Sequence, residues 1–538
     1  MSKFLKGRIL LRVVSAAICA AMFVSMAACG RSQVSDDPDD EEEPEIIVIQ
    51  GEDEEDCDYC GECDWCLEYE EQLAQQDNEA ANNNNDRSSR SNVSIPTLEG
   101  DKQTVQGIDD LRGKKMVVAW AGGTFFGNEG NDPDGRKATR QAAIDRIDAE
   151  FGCEFVARDI PGGAFALLEV ARPIIYAGSF FSDIMVSWVH RIGTAVDLQL
   201  WKDLNRVPEM QMDNPKWDLN MTEQTKVFGK NLFVFPDFKS PAYTANCLMF
   251  NKRILGEVGM TSAQLYQMVR ERKWTFQEMQ RISARAYKDI DGVPGASVGD
   301  QFGFVGVDMP GGVAKHVFLA AGGQPTTRTS DGGFRNNMEN MKNISALTTM
   351  ASWLTSDRSV MNEQIDQRIW ERQTDAFMQG RALFYLSEAY RLPDANYSAS
   401  DGWGMVPFPT SKAGEDYKSG INHNTEVIAI PSNSTLDSSA LAGYWLNEWI
   451  EGYSQIFAAD LATTISRITD PDAATIIEMN ELIKKTGNMD PLYWGVISPG
   501  GNMIRLYRRE ETDAAQSVKA VNFDLQVNNF LAAVRAVK

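Results

Sequence analysis

The chain has 538 residues, a net charge of −24 and a sequence pI near 4.7, with 43% hydrophobic residues and eight cysteines. That length holds a large body plus tails, and the acidic balance excludes the basic face that nucleic-acid binding needs. The acidity is local: residues 30–100 carry 23 Asp and Glu against Arg31, Arg87 and Arg90, so the rest of the chain is only mildly acidic.

Residues 1–28 have the layout of an export signal, with Lys3, Lys6, Arg8 and Arg12 before an apolar core over 13–24 that is short for a membrane span. Met26-Ala27-Ala28-Cys29 resembles a bacterial lipobox, which implies that Cys29 takes a diacylglycerol and becomes the new N-terminus. The alternative is ordinary signal cleavage with Cys29 incidental. Residues 29–112 read as a disordered, self-repelling tether, because runs such as 36–45 and 82–85 bury too little apolar area to offset chain entropy. Inside it, Cys57, Cys60, Cys63 and Cys66 repeat every third position. Three readings stay open: disulfides or an idle tether, a four-thiolate metal site, or redox chemistry. Neighbouring carboxylates disfavour the thiolate that metals require.

From 113 onward strands and helices alternate. Residues 116–120 form a buried strand, 136–151 a helix, 153–160 a strand, 165–176 a helix, 183–188 a strand and 192–200 a helix. Such alternation predicts a parallel α/β sheet whose ligand loops follow the strand C-terminal ends. Trp120, Asp183 and Trp188 are placed at or near such ends. Residues 227–235 read as a strand pair or edge, 236–241 as a loop, and 243–250 as a second buried strand opening into a helix at Asn251-Lys252-Arg253. Helices are predicted over 274–287, 313–321, 339–355 and 368–379, with strands at 302–305 and 382–386. Glu388 and Tyr390 follow the last of these. Trp403 and the Asn422-His423-Asn424 turn precede later strands.

The order of these segments carries a resemblance. Gly229, Leu232, Phe235, Pro236, then Leu248, Phe250, Asn251, Lys252, Ile254, Leu255 and Gly259 resemble the lobe-crossing stretch of family 1 extracellular solute-binding proteins, the maltose-binding-protein-like receptors of ABC importers. Trp274-Thr275-Phe276, Phe377-Met378-Gln379-Gly380-Arg381, Met405-Val406-Pro407-Phe408-Pro409 and Val427-Ile428-Ala429-Ile430-Pro431 follow in the family's order. Phe250 stands where the family has Tyr. The resemblance implies an α/β, two-lobed periplasmic-binding-protein-like fold of type II with a ligand cleft between the lobes. Residues 113–243 plus 422–462 would form lobe 1, and 244–421 plus 463–538 lobe 2. Hinge crossings are expected near 243–247, 420–424 and 460–465.

The implied ligand is a carbohydrate, an oligosaccharide in the first instance, held by aromatic faces and polar rims. Trp120, Trp188, Tyr243, Tyr390 and Trp403 would supply the faces, and Asp183, Asp237, Glu388 and Asn424 the rims. The implied partners are the membrane subunits of an ABC importer and, through a lipid anchor, the outer face of a bacterial cell membrane. A monomer is expected, with no cofactor and no nucleic acid. An enzyme is not expected: His190, His316 and His423 lack metal-ligand spacing, and the chain has no H-E-x-x-H motif. Two alternatives are a surface sensory or adhesion lipoprotein of the same fold, and a metal or redox lipoprotein acting through Cys57–Cys66.

Overall fold

The computed structural model describes residues 111–537 except 121–136, 159, 161–165, 237–244, 307–312, 363–374, 389–400, 423–424, 467–470, 489, 491–495, 497–505 and 507–512. The export signal, Cys29, the acidic tether and the four-cysteine run lie outside the described residues.

The first sheet contains β1 (Lys115–Trp120), β2 (Glu154–Arg158), β3 (Ile184–Trp188) and β11 (Glu426–Ala429), in the order β11-β3-β1-β2. β1 pairs in parallel with β2 and with β3, Val118 standing opposite Ile184, while β11 returns antiparallel to β3. Both faces of β1 and β3 are covered, which is why these two strands read as continuous apolar runs. On one face Met116, Val118, Ile184 and Val186 pack with Ile144 and Ile147 of α1 (Lys137–Phe151) and with Trp445, Leu446 and Trp449 of α10 (Leu436–Ser466). On the other, Ala119 and Met185 meet α2 (Leu167–Tyr176) and α3 (Ile192–Asp197), in an apolar cluster that continues into the second sheet.

The chain then passes through α4 (Leu219–Thr225). The strand pair expected over 227–235 is only a tight turn closed between Val227 and Lys230, with left-handed Phe228 (φ 49°) and Gly229 (φ 76°), followed by an isolated bridge from Val234 to Ile428. A two-residue turn with both φ positive matches the right-handed twist of the segments it joins.

The second sheet has the order β10-β4-β9-β5-β8, from β4 (Asn246–Asn251), β5 (Phe302–Val305), β8 (Val360–Met361), β9 (Ala382–Glu388) and β10 (Trp403–Pro407). β4 runs antiparallel to both β9 and β10, whereas β5 is parallel to β8 and β9. Helices α5 (Lys252–Glu257), α6 (Ser262–Arg270), α7 (Phe276–Ala286), α8 (Val313–Ala320) and α9 (Met341–Ser356) surround it, with a small hairpin of β6 (Thr326–Arg328) and β7 (Phe334–Asn336). The Asn-Lys pair has a structural job: Asn251 Oδ1 accepts from Ile254 N at 3.0 Å as the cap of α5, and its Nδ2 donates to Asp401 at 2.9 Å. Trp274 is fully buried, its indole N–H donating to Pro407 O at 3.0 Å.

β5 passes close under α7. A Cβ on Gly303 would lie 2.1 Å from Ser283 O and 2.4 Å from its Cα, both backbone atoms. Gly303→Ala must push helix from strand, and overpacking costs ~1–3 kcal/mol or more. Its urea midpoint should therefore fall well below the parent's, and an unchanged midpoint would show that the two elements yield freely.

The chain ends in α11 (Ala473–Lys485), α12 (Ala514–Ala520) and α13 (Phe523–Ala536). Sequence reasoning assigns all of 463–538 to the second lobe, and the last helix of that stretch touches both lobes. α13 lies against α3 of the first lobe as well as against β7. Lys230 of the first lobe donates to Val534 O at 3.0 Å and to Arg535 O at 3.2 Å, and the Arg535 guanidinium sits 4.1 Å over the Phe228 ring. The pattern of apolar residues shows α13 buries a face, but not that the face meets both lobes.

Candidate functional site

Because β1 and β3 are parallel, Trp120 and Trp188 both lie at strand C-terminal ends. Glu426 stands opposite Trp188 at the start of β11. The loop before β11 comes from the second sheet: Ala245 bridges Ile421, and Asn246 N donates to Gly420 O at 2.7 Å. Thus β4 and β11 leave a shared crossing in opposite directions.

A chain of hydrogen bonds joins the two sheet ends here. Val189 N donates to Thr425 O at 2.9 Å, and the Thr425 hydroxyl to Asn422 O at 2.7 Å. Asn422 Nδ2 then donates to Glu388 Oε1 at the end of β9. Glu388 and Asn246 are directly opposed across the β4–β9 pair, so their side chains share one face. Asn246 is 7% exposed, yet its carbonyl oxygen Oδ1 has no hydrogen-bond partner. A buried acceptor without a partner is uncommon. At the end of β3, Trp188 is partly buried, with His190 stacked on it at 5.3 Å between centroids. Burial, and then the neighbouring Glu388 charge, push the Cys247 thiol far up, so it stays protonated.

Of the expected set, Trp188 and Glu388 lie at the two strand ends that these hydrogen bonds connect, with Asn422 between them and Asn246 opposite Glu388. Asn422 belongs to the turn already legible in the sequence. Asn246 carries no sequence signal, since it begins an apolar strand and matters only for what it faces. Asp237, Tyr243, Tyr390 and Asn424 lie outside the described residues.

Two expected residues must be corrected. Asp183 precedes β3, at the end opposite Trp188, and is fully buried. Its Oδ2 accepts from Val117 N at 2.9 Å and its Oδ1 from the Ser438 hydroxyl, tying β1, β3 and α10 together. Asp183→Ala leaves a buried N–H and hydroxyl unsatisfied, a cost of roughly 2–6 kcal/mol. It should lower the unfolding midpoint and leave solute affinity unchanged; a selective loss of affinity would return Asp183 to the site. Trp403, 4% exposed, opens β10 opposite Asn251. Because β10 is antiparallel to β4, it lies about five residues, roughly 16 Å, from the Asn246 end. Trp120 is at the right end, but its ring turns back onto Phe155 (6.2 Å), which stacks on Trp445 (5.6 Å).

Among the described residues one cluster has carboxylate oxygens close enough for a cation: Asp289, Asp291 and Asp300, all within 4.8 Å. They serve the loop before β5. Asp300 accepts from the Tyr287 hydroxyl at 2.9 Å and Ser297 N at 3.0 Å, and Asp291 from Val293 N at 2.9 Å. That loop is at the opposite end of the second sheet from Glu388.

No family model matches the chain, and no curated protein matches it in sequence. Solved structures do match in shape. The cyclic α-maltosyl-1,6-maltose binding protein of Arthrobacter globiformis is similar at 15% identity with a TM-score of 0.51, over 78% of this chain and 98% of its own. Maltose-bound MalE3 of T. maritima is similar at 16% identity and a TM-score of 0.51, over 77% of this chain and 99% of its own. An ABC transporter solute binding protein of Thermotoga lettingae, bound with α-D-tagatose, is similar at 13% and 0.50, over 78% of this chain and 100% of its own.

The fold is that of the two-lobed, type II solute-binding proteins. The likeness at these identities is one of fold, and the ligand must be argued from the residues at the crossing.

Proposed function

We propose that the protein is an extracytoplasmic receptor that captures a carbohydrate between its lobes and hands it to an ABC importer. The observation that carries this reading is the group at the crossing: Glu388 and Asn422 joined, Asn246 opposite Glu388 on the same face, and Trp188 at the end of β3. A carboxylate and a carboxamide accept sugar hydroxyls, while an indole covers the apolar face of a pyranose. The fold's neighbours named for maltose, a cyclic maltosyl sugar and tagatose support the same class of ligand. Ligand that touches both lobes favours the closed arrangement by its greater affinity for it.

A thermal-shift screen of the protein against mono- and oligosaccharides, amino acids and polyamines tests the reading. A ligand at a hundredfold excess over its Kd stabilises the native state by ~2.7 kcal/mol. A shift confined to one class of saccharide is expected; a shift with amino acids or polyamines and none with saccharides would discard the carbohydrate. The proposal includes lipid anchoring through Cys29 at the outer face of the cell membrane. Cys29→Ser should therefore move the protein from the membrane fraction to the soluble one, and unchanged fractionation would remove the anchor.

A further inference from the structure

The two lobes also meet away from the crossing. Val234 and Ile428 exchange both backbone hydrogen bonds, at 2.9 and 3.0 Å, on the edge of β11 opposite β3. The segment leading up to Val234, from α4 through the left-handed turn at Phe228 and Gly229, therefore lies outside the β11 edge of the first sheet. The β6–β7 hairpin, which grows out between α8 and α9 beside the second sheet, reaches this segment.

Arg328 of the hairpin does most of the joining. Its guanidinium donates to Lys226 O and Gln224 O, both at 2.7 Å, and to Glu223 O at 3.4 Å, so it caps carbonyls that α4 leaves open at its C-terminus. The same guanidinium lies 4.6 Å over the Phe334 ring of β7. At the hairpin tip, Gly332 O accepts from Phe228 N at 3.1 Å. α13 completes the group, because Arg535 reaches from the Phe228 ring to Asp331 of the tip at 3.5 Å. Gln224 Nε2 adds a bond to Gly487 O, just after α11, at 3.3 Å. The tip is shaped in advance: Thr329 N donates to Gly333 O at 2.9 Å, and Asp331 accepts from the Thr329 hydroxyl at 2.6 Å. Phe228 keeps a φ of 49°, rare for a residue with a side chain, at the point of contact. Such a conformation persists where the surroundings impose it.

Strand order gives this contact a direction. From the edge inward the first sheet runs from the Val234 segment to β11, β3 and β1, and the crossing stands at the start of β11. The crossing is thus a pivot between the contact, on the outer side, and Trp188 and Trp120, on the inner side. We propose that the contact is a clasp that opposes closure. Swinging the second lobe about the crossing and over Trp188 draws Arg328 and the hairpin tip off α4, so the clasp must part for the lobes to shut. A solute that closes the lobes works against the clasp, and its affinity is lower for it.

Arg328 is exposed, so Arg328→Ala removes the joint without opening a core. Double electron–electron resonance on the full chain reads the interlobe distance, with spin labels carried on p-acetylphenylalanine in place of the exposed Glu154 and Gln267, which leaves the cysteines untouched. In ligand-free protein Arg328→Ala should shift or broaden the distance distribution, and Arg335→Ala, an exposed change on the same hairpin, should not. Calorimetric titration with maltose, maltotriose and glucose should show whichever of them binds the parent binding Arg328→Ala about tenfold tighter. An unchanged distribution, or the same change from Arg335→Ala, would overturn the clasp. So would a changed distribution with equal or weaker affinity, since the contact would then not oppose closure. The affinity readout rests on the carbohydrate reading and the distances do not. Silence of all three sugars on both chains would count against that reading, and the distances would then decide the clasp by themselves.

Discussion

Replacing Glu388 with alanine is expected to weaken saccharide binding by ten- to a hundredfold or more while leaving the protein folded. Glu388 ends β9 at the point where the lobes cross, and its carboxylate already holds Asn422 from the first lobe's side. A hydrogen bond to a charged group is worth ~1.5–3 kcal/mol, and each 1.4 kcal/mol is a factor of ten in Kd. Two further variants separate the roles of charge and position. Glu388→Gln keeps the acceptor that Asn422 uses and loses only the charge, so its affinity should fall less. Asn246→Leu fills the same face without an acceptor and should resemble alanine at Glu388. Titration calorimetry reads all three, and equal affinities across the series would remove the crossing as the binding locus.

The largest loss of stability is expected from Trp445→Ala. Trp445 is fully buried on α10, nearly parallel to Trp449 at 6.2 Å and 9°, and stacked on Phe155 of β2 at 5.6 Å. It fills the layer between α10 and the first sheet, together with Met116 and Val118. Truncating a buried Trp costs ~3–5 kcal/mol, through lost transfer energy and the cavity left behind. Urea unfolding followed by circular dichroism should show a much lower midpoint, with intrinsic fluorescence reporting the same transition. Affinity for solute should change little in the folded fraction, because Trp445 faces α10's side of the sheet and not the crossing. A variant as stable as the parent would mean that α10 does not depend on this aromatic layer.

Much of this architecture is legible in the residues. Apolar runs with helical stretches between them gave β1, α1, β2, α2 and β3 within a few residues, most clearly for β1 and β3, which are buried on both faces. Asn251-Lys252 marked a helix start for a reason now visible in its capping bond. Glu388 was legible as a polar residue closing an apolar strand. What escaped was direction. A run such as Ile184–Trp188 shows that a strand exists, but not which end faces the ligand, and Asp183 sits at the wrong one. Trp403 misled in the same way: β10 is antiparallel, so its first residue is the one farthest from the crossing. Trp120 has the right end, yet its rotamer returns the ring to Phe155, which no periodicity reveals. Asn246 was silent because its significance is the residue it faces across the β4–β9 pair, a property of three-dimensional packing and not of residue type.

The most direct test of the account is a calorimetric titration of the full chain with oligosaccharides, run beside Glu388→Ala. Saturable heat is expected for one saccharide class, with that binding lost or strongly weakened in the variant. No saturable heat with any saccharide, or an identical curve from Glu388→Ala, would contradict a carbohydrate receptor built on the crossing between the lobes.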